Sequence, residues 1–569
     1  MKKIMMGIQV SEGIAIGRPL IFKKKQFNIT EEIAISYEIE NQIIKDAFAK
    51  AEEQILNLKE KAIKKAGQEE GDIFEAHLMM LRDPMMRESI DKGLKKNQSA
   101  AKAVEDTKNK LMEMFKNIPD SYIQERAADI KDITERLLRI ILREEEEDLS
   151  QISEPVILIA EDLSPSETVG LSDQVKGIIV EMGGRTSHAA ILAKALEIPA
   201  LVGATDAIEQ AKDAQMMIMD TIGGKIIVNP TEEELQVYEK KQQRYELEKQ
   251  QRMIYATQKA VTKDGYPIKV YANIGSLEEW EVAKKYGANG IGLFRTEFLY
   301  MQNHHFPTEE EQFSVYKKIA EEGGEEIIIR TLDIGGDKNL AYYKFKEEMN
   351  PFLGNRAIRF TLSHIDVFKT QLKAILRAAL HGNLKLMYPM ISSLEELYQA
   401  NQCLEQCKVE LKEAQIPYKE DLSVGIMIEI PGAAIIANEL IKEVDFFSIG
   451  TNDLCQYTLA VDRMNPAVSH LYIPHHPSIL RLIKQVSQAA NEHHKIVGVC
   501  GEMAGDPLYT KLLLGLGINE LSMSSSSIPK VKEIIINNSY TECQNFAREI
   551  EKISETKAIE KKLKEDMGC

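Results

Sequence analysis

From Val261 onward, short apolar runs recur at regular intervals, and this cadence constrains the fold more than any other feature of the chain. The runs fall at 268–272, 290–294, 327–331, 384–388, 424–430, 446–449, 495–500 and 520–523. Helical stretches such as "LEEWEVAKKYG" and "SLEELYQANQCLEQCKVELKEA" lie between them. A strand-like run followed by a helix, repeated eight times, predicts a (β/α)8 TIM barrel over 261–569. Parallel strands need a long crossover, and the intervening helices supply one.

Such barrels carry their chemistry at the C-terminal ends of the strands, and the reactive residues of this segment fall there. Arg295 follows the second run. Arg330 and Asp333 close the third, in "IIIRTLDIGGDK", which also holds Lys338. Glu429 closes the fifth, Asn452 and Asp453 follow the sixth, and Cys500 closes the seventh. Arg356 and Arg463 complete a basic set. Guanidinium forks match carboxylate and phosphate oxygens, so several at one mouth imply a small, multiply anionic ligand. For any single Arg the plainer alternative is a salt bridge. Glu429 and Asp453 suit Mg2+, a hard cation held by one or two carboxylates plus ligand oxygens; the alternative is that they pair with the arginines. Cys500 could give or take a proton, although buried strand cysteines are commonly inert.

Upstream, the pattern changes twice. Helical periodicity covers 31–66, 73–81, 100–116 and 122–142, with Ile44, Phe48, Ala51 and Ile55 on one stripe. Asp83-Pro84 and Ile118-Pro119 read as breaks, and the acidic run 144–148 as a solvated linker. A helical subdomain over 21–149 is expected. From Glu154, "PVILIAEDL", "VKGIIVEMGG", "PALVG", "QMMIMD" and "KIIVNP" are short β-rich runs. With the strand-like "GIQVSEGIAIGRPLIF" they predict a mixed α/β domain from 1–20 and 150–230. Thr231 and Glu234 form a capping box opening a polar helix over 231–260, which either links two bodies or lies on one of them. The whole is an α/β multidomain chain.

Charge and cysteine content limit the partners. A net charge of -17 argues against nucleic acid as the main partner. No apolar stretch is long enough for a membrane span, so no membrane insertion is expected. Six irregularly spaced cysteines in 569 residues give no disulfide framework, which suits a reduced, cytoplasmic protein. Cys403 and Cys407 read as ordinary helix residues.

One histidine stands out. His188 lies in "GGRTSHAAILAKALEIPALVG", after a glycine pair and a Thr-Ser able to cap the helix that follows. Free N–H groups and the positive dipole end at a helix N-terminus favour an anion and disfavour an imidazolium. A neutral imidazole is a nucleophile, and these amides would hold a phosphoryl group attached to it. A surface or core histidine is the plainer alternative, but the Gly-Gly-Arg-Thr-Ser setting opposes it.

The stretches "GGRTSHAAILAKALEIPALVG", "DFFSIGTNDLCQYTLAVDR" and "GVCGEMAGD" closely resemble the signatures of the phosphoenolpyruvate-utilising enzymes. The resemblance runs over nearly the whole chain. It implies that His188 attacks the phosphorus of phosphoenolpyruvate (PEP) through Nε2. It implies that Arg295, Arg330, Arg356, Asn452, Arg463 and Lys338 bind substrate, that Glu429 and Asp453 hold Mg2+, and that Cys500 protonates the enolpyruvate carbon. The phosphoryl group would pass to a histidine of the phosphocarrier protein HPr, docked on the helical subdomain. The α/β phosphohistidine domain would swivel, and the barrels would pair as a homodimer.

ATP-linked relatives carry a large nucleotide-binding domain before the histidine domain. The short, largely helical stretch before His188 has no glycine-rich phosphate loop, so the sugar-phosphotransferase branch is expected, and its form without an N-terminal sensory domain. A barrel lyase would leave His188 without a role, and the intact reactive set opposes a non-catalytic scaffold. Asn355, Met464 and His475-His476 depart from the family pattern without removing a reactive residue. His77 and the nearby Met79, Met80, Met85 and Met86 carry no specific docking motif, and core packing is the expectation for the methionines.

Overall fold

The structure is a computed structural model. It describes the chain except residues 1–6, 24–26, 28, 30–33, 67, 117–120, 145–148, 170, 183–188, 191–192, 194–197, 302, 304, 336–339, 341, 344, 347, 464, 466–467 and 568–569. The chain divides into two compact units, 1–249 and 250–569.

In the first unit, five helices pack on each other: α1 (Tyr37–Ala66), α2 (Gln68–Arg82), α3 (Pro84–Leu94), α4 (Ala100–Lys116) and α5 (Ser121–Leu142). The predicted stripe of Ile44, Phe48, Ala51 and Ile55 is buried against Phe74, Leu78, Val104 and Leu137. Two readings change. Helix α1 opens at Tyr37, where the Ser36 hydroxyl accepts from Ile39 N at 3.3 Å. Asp83-Pro84 ends α2 but also starts α3: Asp83 accepts from Met85 N at 2.7 Å, and Pro84 takes the first helical position, where no N–H is missed.

The helices are inserted between strands of a seven-stranded sheet ordered β1-β5-β4-β3-β2-β6-β7. These are β1 (Ile8–Ser11), β2 (Ile14–Phe22), β3 (Val156–Ala160), β4 (Val175–Val180), β5 (Ala200–Val202), β6 (Met217–Asp220) and β7 (Lys225–Val228). The N-terminal half of β2 pairs antiparallel with β6 and its C-terminal half parallel with β3. One strand therefore joins two hydrogen-bonding regimes. Two apolar layers cover the two faces of this sheet.

A helix over Glu232–Ala256 follows. Its predicted capping box is present, with Thr231 N donating to Glu234 at 2.8 Å and Glu234 N to the Thr231 hydroxyl at 3.3 Å. Near its start, Lys241 pairs with Asp220. At its far end, the buried Lys532 ammonium donates to the carbonyls of Ala256 and Gln258, both at 3.1 Å, and of Gly287 at 2.6 Å.

The second unit is a closed barrel of eight parallel strands. They are β8 (Lys269–Ile274), β9 (Ile291–Arg295), β10 (Ile327–Arg330), β11 (Leu384–Tyr388), β12 (Ser423–Ile428), β13 (Phe446–Ile449), β14 (Ile496–Val499) and β15 (Glu520–Met523). Every predicted run is a strand. Leu293, Ile328, Met387, Met427, Phe446 and Cys500 form a small buried cluster of their own. A larger apolar shell joins the strands to the surrounding helices. Among the described residues, no helix is long and apolar enough to cross a membrane, and the five described cysteines are free and buried.

Candidate active site at the barrel mouth

Parallel register sets the mouth. Arg330 stands opposite Arg295 across β10 and β9. Ile428, Ile449 and Val499 form one row across β12, β13 and β14. The next residues along, Glu429, Gly450 and Cys500, therefore share a level just above the strands. Asn452 and Asp453 lie in the first turn of the helix Thr451–Leu459, which starts directly after β13. Gly501 lets the Cys500 turn approach that helix, because a Cβ there would collide with the Thr451 hydroxyl.

Arg330 and Arg356 are held by buried carboxylates. Arg330 donates through Nη2 to Glu297 at 2.7 Å and pairs through Nη1 with Asp333 at 2.9 Å. Arg356 reaches the other oxygen of Asp333 at 2.9 Å, Asp453 at 3.9 Å and the Tyr457 hydroxyl at 3.4 Å. Burial works against the Arg330 charge, but Asp333 and Glu297 outweigh it and keep the guanidinium firmly protonated. Arg295 is exposed at the end of β9. Arg463 pairs with Glu502 at 3.3 Å, and Glu502 N donates to the Asn452 side-chain oxygen at 3.0 Å. One chain of contacts thus joins Arg463 and Asn452.

Glu429 is fully buried and accepts from Met390 N at 2.6 Å. Burial, and then repulsion from Asp453 and Asp333, pushes its carboxyl up to about 8 despite Arg330 and Arg356. Arg330 and Arg356 thus offset burial and the neighbouring carboxylates only in part. A divalent hard cation would add further positive charge, with ligand oxygens completing its shell. Glu429 and Asp453 are oxygen donors of the kind a hard cation combines with ligand oxygens.

Cys500 is buried, with its sulfur 3.7 Å from the Ile449 carbonyl. Burial pushes the thiol up to about 11, with Arg330 and Arg295 pulling the other way and Glu429 adding to the rise. It stays protonated at neutral pH, which suits a proton donor better than a nucleophile. Asn273 fixes the turn by donating to the Cys500 carbonyl at 2.8 Å.

The mouth therefore gathers Arg295, Arg330, Arg356, Glu429, Asn452, Asp453, Arg463 and Cys500. Lys338 and His188 lie outside the described residues. Directly after His188, Ala189 and Ala190 are helical and buried. Sequence reasoning missed Glu297 and Asn273 and gave Asp333 no role. Glu297 could have been found, as the second residue past Arg295 at a strand end. Of the departures, Asn355 is exposed, and its backbone N–H donates to Glu348 at 2.9 Å. Met464 is outside the described residues. His475 bonds the Tyr509 hydroxyl at 3.0 Å, and His476 caps the helix Pro477–Glu492. The methionine expectation holds for Met86, which is buried, and fails for Met79 and Met85, which are 41% and 56% exposed.

The fold and mouth define a barrel enzyme for a small polyanion, with an acid poised at one strand end. The sequence family described as PEP-utilising enzyme, PEP-binding domain, matches residues 249–540. Its N-terminal and mobile-domain counterparts match 6–126 and 152–224. A phosphoenolpyruvate-protein phosphotransferase of Priestia megaterium is 44% identical over 538 residues, 94% of each chain. One of Bacillus subtilis (strain 168) is 42% identical over 564 residues, 99% of each chain. A solution structure of Enzyme I (nEIt) is 36% identical, with a TM-score of 0.38, covering 42% of this chain and 99% of that one. The chain belongs to the PEP-utilising enzymes and, within them, to the phosphoenolpyruvate-protein phosphotransferase family.

Proposed function

We propose that this chain transfers the phosphoryl group of PEP to its own His188 and then to a histidine of the phosphocarrier protein HPr, the first step of sugar uptake by the phosphotransferase system. Nε2 of His188 attacks phosphorus, and the P–O bond to the enol oxygen breaks. The enolate carbon takes the Cys500 proton, giving pyruvate, and the thiolate regains a proton from water. Arg295, Arg330, Arg356, Arg463, Asn452 and Lys338 bind the phosphate and carboxylate. A Mg2+ held by Glu429 and Asp453 would neutralise part of the ligand's charge.

The observation that carries this reading is the pairing of a cationic mouth with a protonated, buried thiol at its floor. Residues 261–569 form the substrate and dimerisation domain. Residues 1–20 and 150–230 carry the histidine and swivel between barrel and carrier, with 231–260 as linker. Residues 21–149 dock HPr, a role supported by exposed Met79 and Met85, since flexible thioethers suit adaptable protein surfaces. The barrels pair as a homodimer, and buried free thiols suit a cytoplasmic protein.

The test is a stoichiometry. PEP and Mg2+ alone should release about one pyruvate per chain, as expected for a covalent intermediate. Adding HPr should give continuous turnover. Continuous release without HPr, or none with it, contradicts the reading.

A further inference from the structure

We infer that Asp333 is a positioning residue that clamps Arg330 and Arg356 into one rigid pair, with Glu297 gripping Arg330 from its other side. The inference rests on the reading of the mouth as a PEP site.

Each oxygen of the Asp333 carboxylate takes a different arginine, Oδ2 meeting Arg330 and Oδ1 meeting Arg356, both at 2.9 Å. Arg330 ends strand β10, whereas Arg356 comes from the long segment between β10 and β11. The carboxylate therefore joins two parts of the chain that no sheet hydrogen bond unites. All four side chains are buried. Glu297 accepts from Arg330 at 2.7 Å and from the backbone N–H of Asp333 at 3.2 Å, so it grips both Arg330 and the residue that holds it.

The backbone is fastened at the same point. Ala357, next to Arg356, has φ +53° and ψ −126° and is fully buried. An alanine persists there only when its surroundings over-determine it. Its N–H donates to the Ile334 carbonyl at 2.9 Å, one residue past Asp333. Side chain and backbone thus stitch 333–334 to 356–357. Engaged by two guanidinium groups, Asp333 is occupied as an arginine holder rather than as a cation ligand. The Nε of Arg330 is buried without a hydrogen-bond partner among the described residues, a donor that lies outside the clamp. Holding guanidiniums in place before an anion arrives removes the cost of ordering them on binding.

A double-mutant cycle in the full-length His188→Ala chain tests the clamp, because binding can then be read without turnover. The probe is PEP with Mg2+, titrated calorimetrically against the parent, Asp333→Asn, Arg356→Lys and the double variant. Each single change should weaken binding on the order of tenfold or more. The double variant should bind no worse than the weaker single variant, because both changes break one unit. Asp333→Asn combined with Arg295→Lys should instead multiply, since Arg295 lies outside the clamp. Unchanged binding by Asp333→Asn, or multiplied losses with Arg356→Lys, overturns the inference. A parent chain that does not bind PEP overturns the reading on which it rests, a distinct result. If Asp333→Asn fails to fold, Glu297→Gln with Arg330→Lys gives the same cycle on the other grip.

Discussion

The two ends of the barrel use the same ingredients to opposite effect. At the N-terminal floor, Lys269 and Lys385 each meet Glu326 at 2.9 Å, and Lys385 also lies 5.3 Å over the Phe446 ring. Glu520 lies in the same layer, in space left by Gly498, where a Cβ would press on its carboxyl, and its Oε2 has no hydrogen-bond partner among the described residues. At the C-terminal mouth, Arg330 and Arg356 are likewise held by Glu297 and Asp333, but Arg295 and Arg463 remain accessible and the Glu429 carboxyl is only partly compensated by Arg330 and Arg356. Ion pairs that close on each other give rigidity. A set that closes only in part, with cations at its rim, leaves a demand that an anion and a cation can meet together. Conserving fold at one end and leaving charge unsatisfied at the other is how one scaffold carries a reaction.

The comparison predicts that mouth changes alter turnover and floor changes alter stability. The largest effect should come from Cys500→Ala, which lowers the rate of pyruvate formation by about 10²–10⁴-fold. Thermal unfolding should be nearly unaffected. A matching loss of Tm would reduce the thiol to a packing role. Next, Glu326→Gln should destabilise the barrel by about 1–3 kcal/mol while leaving kcat/KM unchanged, because two lysines lose their shared charge and Lys269 is partly solvated. Denaturant melts beside steady-state assays check both halves.

A third test uses pH. Burial, then Glu326, pushes Glu520 up to about 7, and Glu429 reaches about 8. A raised carboxyl binds its proton more tightly folded than unfolded, so stability is full below the unfolded value near 4.3 and falls as pH rises through the folded one. Tm should therefore drop between pH 5 and pH 9. Glu520→Gln should remove the part complete by about pH 7, and Glu429→Gln the part extending to about pH 8, gaining a few degrees at pH 9. Mg2+ with PEP should restore only the mouth's share. Equal response of both variants to ligand would dissolve the distinction between the ends. The smallest effect should be Arg463→Lys at the exposed rim, where KM for PEP rises about threefold to tenfold with little change in kcat.

Much of this was legible in the sequence because the relevant signals are local. The alternation of runs and helices identified all eight barrel strands, and the rule that barrel chemistry sits at strand ends selected Arg295, Arg330, Glu429, Asn452, Asp453 and Cys500, which the fold gathers. What was not legible depends on long-range pairing. Asp333 joins arginines separated by 26 positions (356 minus 330), and no spacing announces that. The floor layer of Lys269, Glu326, Lys385 and Glu520 sits at strand starts, where charged residues look like solvated turns. Helix α3 was hidden because proline breaks one helix and begins the next by the same lack of an N–H. Met79 and Met85 share the helical spacing of core residues, and only the packing shows which side of the stripe they take.

The central claim is that the polyanion bound at the mouth ends as a phosphoryl group on His188. The most direct measurement incubates the wild type and His188→Ala with PEP labelled in its phosphoryl group, Mg2+ and no nucleotide, then maps the labelled peptide. Acid-labile, alkali-stable label on the peptide containing His188, absent from the variant, is the predicted result. Label that persists in His188→Ala, or appears only when ATP is supplied, would contradict the account.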